Sequence, residues 1–140
     1  MTRLFIDTNI VIDLLSKSDP YYAESAVLFS LADRKKINIS VSALTFANTA
    51  YVLLKQLKTP KVKEVLRTLR VLITVLPLDD KTIGLALNDE AFADFEDGLQ
   101  YYTAIENDME IIITRNLKDF KSAKIPVMTP GQFLEAFKTN

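Results

Sequence analysis

Short apolar runs rich in β-branched residues fall at residues 4–6, 37–41, 75–78 and 110–114, with a last one at 126–128. Longer stretches of helical spacing separate them. Several of these runs are apolar at successive positions rather than alternate ones, the pattern of strands buried on both faces. Strands alternating with helices predict an α/β fold with a mainly parallel sheet covered on both sides. In TPKVKEVLRTLRV, Thr59 is the expected N-cap and Pro60 the first helical residue, with Val62, Val65, Leu66 and Leu69 on one face. TPGQFLEAF repeats the device with Thr129 and Pro130, and Gln132 has the spacing of a capping box. DFEDGLQYYTAIEND places Asp94 as N-cap and Asp97 in the first turn of a helix running to about Asn107, and TRNLKDF follows the fourth strand. No repeat, low-complexity tract or Gly/Ser linker interrupts the pattern, and 140 residues match one domain, expected over 1–140.

Composition narrows the chemistry. An apolar share of 49% with 25% charged residues excludes a disordered chain. No apolar run is long enough to cross a bilayer, and the first residues lack the basic-then-apolar plan of a signal peptide, so a cytoplasmic protein with no membrane partner is expected. The chain has no cysteine and no histidine. That excludes histidine-dependent serine or cysteine triads and thiolate or imidazole zinc sites. Any catalysis must rest on carboxylates, hydroxyls, amides and lysines. A net charge of −1 argues against a general polyanion binder and leaves room for a local basic patch.

The acids can be placed on this framework. Open parallel sheets bind ligands outside the carboxyl ends of their strands, near the point where strand order reverses. Asp7 ends the first strand, Asn116 and Asp119 follow the fourth, and Asp97 opens a helix that could face the same crevice. Carboxylates converging without histidine suit oxygen-loving Mg²⁺ or Mn²⁺. Each acid also has a plainer reading. Asp is a favoured N-cap worth about 1 kcal/mol, so Asp7 could simply cap the helix beginning near Ile10. Asp97 gains from the helix dipole without any metal.

The segments FIDTN, VSALTFANTAYVL, DFEDGLQYYTA and IIITRNLKDF, followed by PVMTPGQFL, span nearly the whole chain in order. Together they resemble a PIN domain, the nuclease fold of the toxin halves of many bacterial toxin-antitoxin pairs. The resemblance implies a three-layer α/β/α sandwich, a carboxylate site for Mg²⁺ or Mn²⁺, and hydrolysis of phosphodiester bonds in single-stranded RNA. It also implies a homodimer and a small antitoxin protein as partner. On that resemblance Asp7 is the first family acid and a metal ligand, with Thr8 and Asn9 the polar pair beside it. Asp97 is the acid at the start of the later helix and the second metal ligand, with Glu96 a possible helper. Asn116 matches a position where the family carries Asp or Asn, Thr114 is a supporting hydroxyl, and Asp119 is an alternative acid in the same turn. One position departs: Asn48 stands where the family usually has Glu or Asp. An amide offers a metal only its neutral carbonyl oxygen. The alternative function is therefore a PIN-fold module with impaired catalysis that holds RNA or a protein; a plain α/β domain whose acids cap helices is a third reading.

The tract KQLKTPKVKEVLRTLR gathers Lys55, Lys58, Lys61, Lys63, Arg67 and Arg70 against the single acid Glu64. Such a patch could hold RNA phosphates beside an acidic pocket, or could be a solvated helix face. Tyr21, Tyr22, Tyr101 and Tyr102 could stack bases or pack in the core.

Overall fold

The computed structural model describes residues 1–138. Five strands, β1 (Thr2–Ile6), β2 (Ile37–Ser42), β3 (Thr74–Leu76), β4 (Ile111–Ile113) and β5 (Val127–Met128), form one sheet in the order β3-β2-β1-β4-β5. All neighbouring strands are parallel, with Phe5 opposite Ser40 on one side and Ile112 on the other. The connections carry helices α1 (Thr8–Leu15), α2 (Tyr22–Asp33), α3 (Ala43–Leu53), α4 (Thr59–Leu72), α5 (Asp80–Asn88) and α6 (Phe95–Glu106). A 3-10 turn (Leu117–Phe120) and α7 (Pro130–Lys138) complete the described chain.

Strand alternation divides the core in two. Leu4, Ile6, Ile39, Val41 and Ile113 point to one face, where Ile10, Leu28, Phe29, Leu69 and Phe133 from four helices cover them. Phe5 and Ile112 point to the other face, against Tyr101 and Ala104 of α6 and against Phe92 and Phe120. Leu4, Phe5 and Ile6 are all fully buried, which is why this strand reads as a continuous apolar run. The result is the three-layer α/β/α sandwich expected from the sequence.

Boundaries depart from the sequence reading where a local rule intervenes. Strand β3 spans Thr74–Leu76 and stops before Pro77, which has no amide hydrogen to extend the ladder. Helix α4 is capped one residue earlier than the pattern suggests. Lys58 has the extended backbone of the N-cap, and its carbonyl accepts from the amides of Lys61 and Val62, so Thr59 is already helical and its side chain caps nothing. At α7 the capping box forms as read, with Thr129 N donating to Gln132 Oε1 (2.9 Å) and Gln132 N donating to Thr129 Oγ1 (3.1 Å). Asp94 caps α6 by accepting from the amide of Asp97 at 3.1 Å. Among the described residues, no helix is long and apolar enough to cross a membrane.

The topology sets the site. From β1 the chain steps to β2 and β3 on one side, then returns to β4 on the other, so the strand order reverses between β1 and β4. The crevice outside their carboxyl ends is where such sheets take ligands. Asp7 and Thr114 are the first residues beyond those two strands.

Candidate functional site

Asp7 stays in the sheet ladder through its amide, which donates to Ile113 O at 2.9 Å. It occupies the N-cap position of α1, yet its side chain makes no capping bond. Instead Oδ2 accepts a 2.7 Å hydrogen bond from Thr114 Oγ1, and that hydroxyl accepts from the amide of Asn116 at 3.0 Å. The carboxylate reaches across the β1–β4 boundary to the loop after β4. A capping role therefore does not account for its orientation.

A buried polar network underlies it. Thr8 Oγ1 lies 2.8 Å from Thr45 Oγ1 and accepts from Gln100 Nε2 at 2.9 Å, tying α1 to α3 and α6. Gln100 lies one helical turn beyond Asp97, so this network also fixes the helix that presents Asp97. Neither Thr45 nor Gln100 was singled out in the sequence. The available signal was a glutamine on the otherwise apolar side of DGLQYYTA.

Asp7, Thr8, Asn9, Asn48, Glu96, Asp97 and Asn116 line one open cavity of about 390 Å³, together with Tyr51 and two aliphatic residues. Asn48 Nδ2 donates to Glu96 Oε1 at 2.9 Å, so the residue that departs from the family pattern holds a carboxylate at the cavity edge. Asp119 lines the adjoining hollow with Asp94 and Asp97. Of the basic tract, Lys63, Arg67 and Arg70 flank a separate apolar notch between Phe46 and Leu66, and Lys61 pairs with Glu64 at 3.7 Å. Lys55 reaches the first cavity, its Nζ lying over the Tyr51 ring at 5.3 Å from the centroid.

The negative charges resist one another. Burial pushes the Asp7 carboxyl above its ordinary range against the pull of the Thr114 hydroxyl and the Thr8 amide, and Glu96 and Asp119 push it further. Asp97 is pushed up to about 7, first by burial and then by Asp94, Asp119, Asp7 and Glu96. With no histidine in the chain, Asp97 is the acid placed to titrate near neutrality. A folded-state pKa above the unfolded one means that the folded protein holds the proton more tightly. The stability that Asp97 contributes to the metal-free protein is thus fully present below about pH 4 and is lost as pH rises through about 7. Thermal melts in EDTA between pH 5 and 8 should show a falling Tm, and Asp97→Asn should flatten the profile; a rising wild-type profile would contradict this electrostatic picture.

The donors suit a hard divalent cation. They are oxygen atoms of carboxylates, amides and hydroxyls, and Asn9 Oδ1 is buried without a hydrogen-bond partner. Among the described residues no three acids converge closely enough to enclose an ion by themselves. Mg²⁺ does not require such a cage, because it commonly keeps several waters and binds through one or two carboxylates plus substrate phosphates.

A second buried contact braces the same loop. Arg115, between Thr114 and Asn116, reaches Asp13 of α1 through Nε at 2.7 Å and Nη2 at 3.2 Å. Its guanidinium lies 4.1 Å from the Tyr21 ring centroid. This pairing across the chain left no mark on the local sequence pattern.

The fold is shared with several solved proteins. The chain superposes on VapBC2 from Rickettsia felis bound to a DNA fragment from their promoter with a TM-score of 0.67 and 23% identity, covering 91% of this chain and 97% of that one. DNA-bound VapBC from Salmonella typhimurium gives a TM-score of 0.69 at 18% identity, covering 93% and 99%. In sequence it is 29% identical over 143 residues to Ribonuclease VapC1 of Aquifex aeolicus (strain VF5), covering 98% of this chain and 96% of that protein. The PIN domain family model matches residues 3–118, and the chain belongs to that family.

Proposed function

We propose that this protein is a Mg²⁺- or Mn²⁺-dependent endoribonuclease acting on single-stranded RNA, and the toxin half of a toxin-antitoxin pair. The observation that carries the reading is the hydrogen bond of Asp7 to Thr114 across the two strand ends, beside a cavity that Asp7 and Asp97 both line. The ribonuclease relative in Aquifex and the likeness to toxin-antitoxin complexes support the same reading. A small antitoxin protein is the proposed partner, and a homodimer the proposed assembly.

Asp7 and Asp97 would hold the ion, with Asn48 and Asn116 offering amide oxygens. When bound, the ion supplies a water of lowered pKa and neutralises charge on the phosphate oxygens. Thr114 keeps the Asp7 carboxylate aimed by donating its proton to Oδ2, while Thr8, Thr45 and Gln100 hold the helices that carry the two acids. Glu96, steadied by the Asn48 amide, brings a further carboxylate to the edge where an attacking water is to be oriented.

The test is cleavage of a mixed-sequence single-stranded RNA in Mn²⁺ and in EDTA, with Mn²⁺ titrated by calorimetry in the same samples. Mn²⁺-dependent cleavage supports the enzyme. The second reading, a binding module with impaired catalysis, rests on the charge missing at position 48, and binding of Mn²⁺ and RNA without cleavage would establish it. Asn48→Glu restores a carboxylate to the cavity wall and should tighten Mn²⁺ binding about tenfold, the scale of a supporting contact in a metal site. Equal or weaker affinity in that variant would remove position 48 from the metal's surroundings.

A further inference from the structure

The tyrosines that stand in pairs in the sequence are largely engaged within the fold. Tyr21 stacks on Arg115, Tyr101 is buried against Phe92 with ring centroids 4.9 Å apart, and the Tyr102 hydroxyl donates to Asp89 at 2.6 Å. Tyr51 is different. It is 69% exposed, yet it lines the same cavity as Asp7 and Asp97. It follows Asn48 by three positions, which sets the two side chains on one face of α3. Lys55 places its ammonium 5.3 Å from the centre of the ring.

An aromatic ring in water beside a group of acids adds little to folding, but it is a platform for another ring. Nucleobases stack on aromatic side chains irrespective of sequence, provided they have been freed from a duplex. An acidic cavity repels the RNA backbone, and a cation at its mouth offsets that repulsion for one phosphate. An ammonium over one face of the ring leaves the opposite face for a base, so the two match one nucleotide: its base and its phosphate.

We propose that Tyr51 and Lys55 form a nucleotide subsite at the mouth of the cavity, where a base flanking the scissile phosphate of single-stranded RNA stacks on Tyr51 and its phosphate pairs with Lys55. The proposal rests on the RNA reading above and adds a substrate-positioning residue to it. Tyr51 acts on substrate binding, so its removal affects KM more than kcat.

Fluorescence anisotropy with a dye-labelled single-stranded RNA, and cleavage of the same RNA in Mn²⁺, test this in the full chain. Tyr51→Ala is expected to raise Kd and KM about tenfold, while Tyr51→Phe and Tyr51→Trp keep wild-type values. A single abasic nucleotide beside the cleaved bond should weaken wild type to the same degree and leave Tyr51→Ala unaffected. Lys55→Gln should reduce the salt slope of log Kd by about 0.7, one phosphate contact on a single strand, whereas Tyr51→Ala leaves that slope unchanged. Unchanged Kd and KM in Tyr51→Ala, or equal losses in the Ala and Phe variants, would overturn the subsite. A change in oligomeric mass without a change in RNA affinity would also overturn it, by making Tyr51 a protein contact. Wild type that binds RNA through Tyr51 but does not cleave it would sink the nuclease reading and leave the subsite standing.

Discussion

Asp7→Asn is expected to abolish Mn²⁺-dependent cleavage, lowering kcat/KM by about 10³ or more, the upper range for loss of one preorganised electrostatic group. Mn²⁺ affinity should fall in the same variant, while the fold is retained. The substitution keeps the shape of the side chain, and its amide oxygen can still accept from Thr114 Oγ1. What it removes is a charge that burial already disfavours, with Glu96 and Asp119 adding to the strain. Tm in EDTA should therefore stay level or rise. Asp97→Asn should behave alike, since its carboxyl is pushed up to about 7 by burial and by four neighbouring acids. Calorimetric Mn²⁺ titration, RNA cleavage and thermal melts on the three proteins separate the effects. Cleavage unchanged in both variants would sink the site assignment, and loss of cleavage together with unfolding would make Asp7 a structural residue instead.

These acids were legible in the sequence for two separate reasons. Asp7 ends an apolar run whose burial on both faces marks a central parallel strand, and the crevice at such strand ends follows from topology. Asp97 was placed by Asp94, a cap whose signal lies within four residues. Local signals of this kind also gave the α7 capping box. They failed at Thr59, because the start of a helix is set by which carbonyl first accepts an amide, and Lys58 has no side-chain signature for that. Contacts between distant residues were invisible for a different reason. Thr114 and Asp7 are separated by 107 positions, and Asn48 and Glu96 by 48. No periodicity encodes such a meeting; it exists only once the sheet order brings the two strand ends together. The tyrosines show the same limit in reverse, since doubled aromatic letters drew attention in the sequence while the exposed ring at the cavity was a single one.

Arg115→Met is expected to destabilise the protein by about 3 kcal/mol, the lower end of the range for breaking a buried ion pair from one side. The Asp13 side chain is 2% exposed, so the loss of its partner leaves a carboxylate with neither water nor guanidinium. Arg115 itself is 31% exposed, which keeps the effect near that lower end. Arg115→Lys preserves charge but loses the forked pair of donors and the flat contact with Tyr21, so it should fall between wild type and Met. The double variant Asp13→Leu/Arg115→Met removes the stranded charge and should regain most of the stability. Urea unfolding of the four proteins measures these differences, and the single Asp13→Leu variant completes the double-mutant cycle. A Met variant as stable as wild type would show the pair to be dispensable. The consequence for the site follows from the loop: Arg115 joins Thr114, which aims Asp7, to Asn116, which lines the cavity. Even the stable double variant should therefore bind Mn²⁺ more weakly than wild type, because the guanidinium that pinned this loop to α1 is gone while both acids remain.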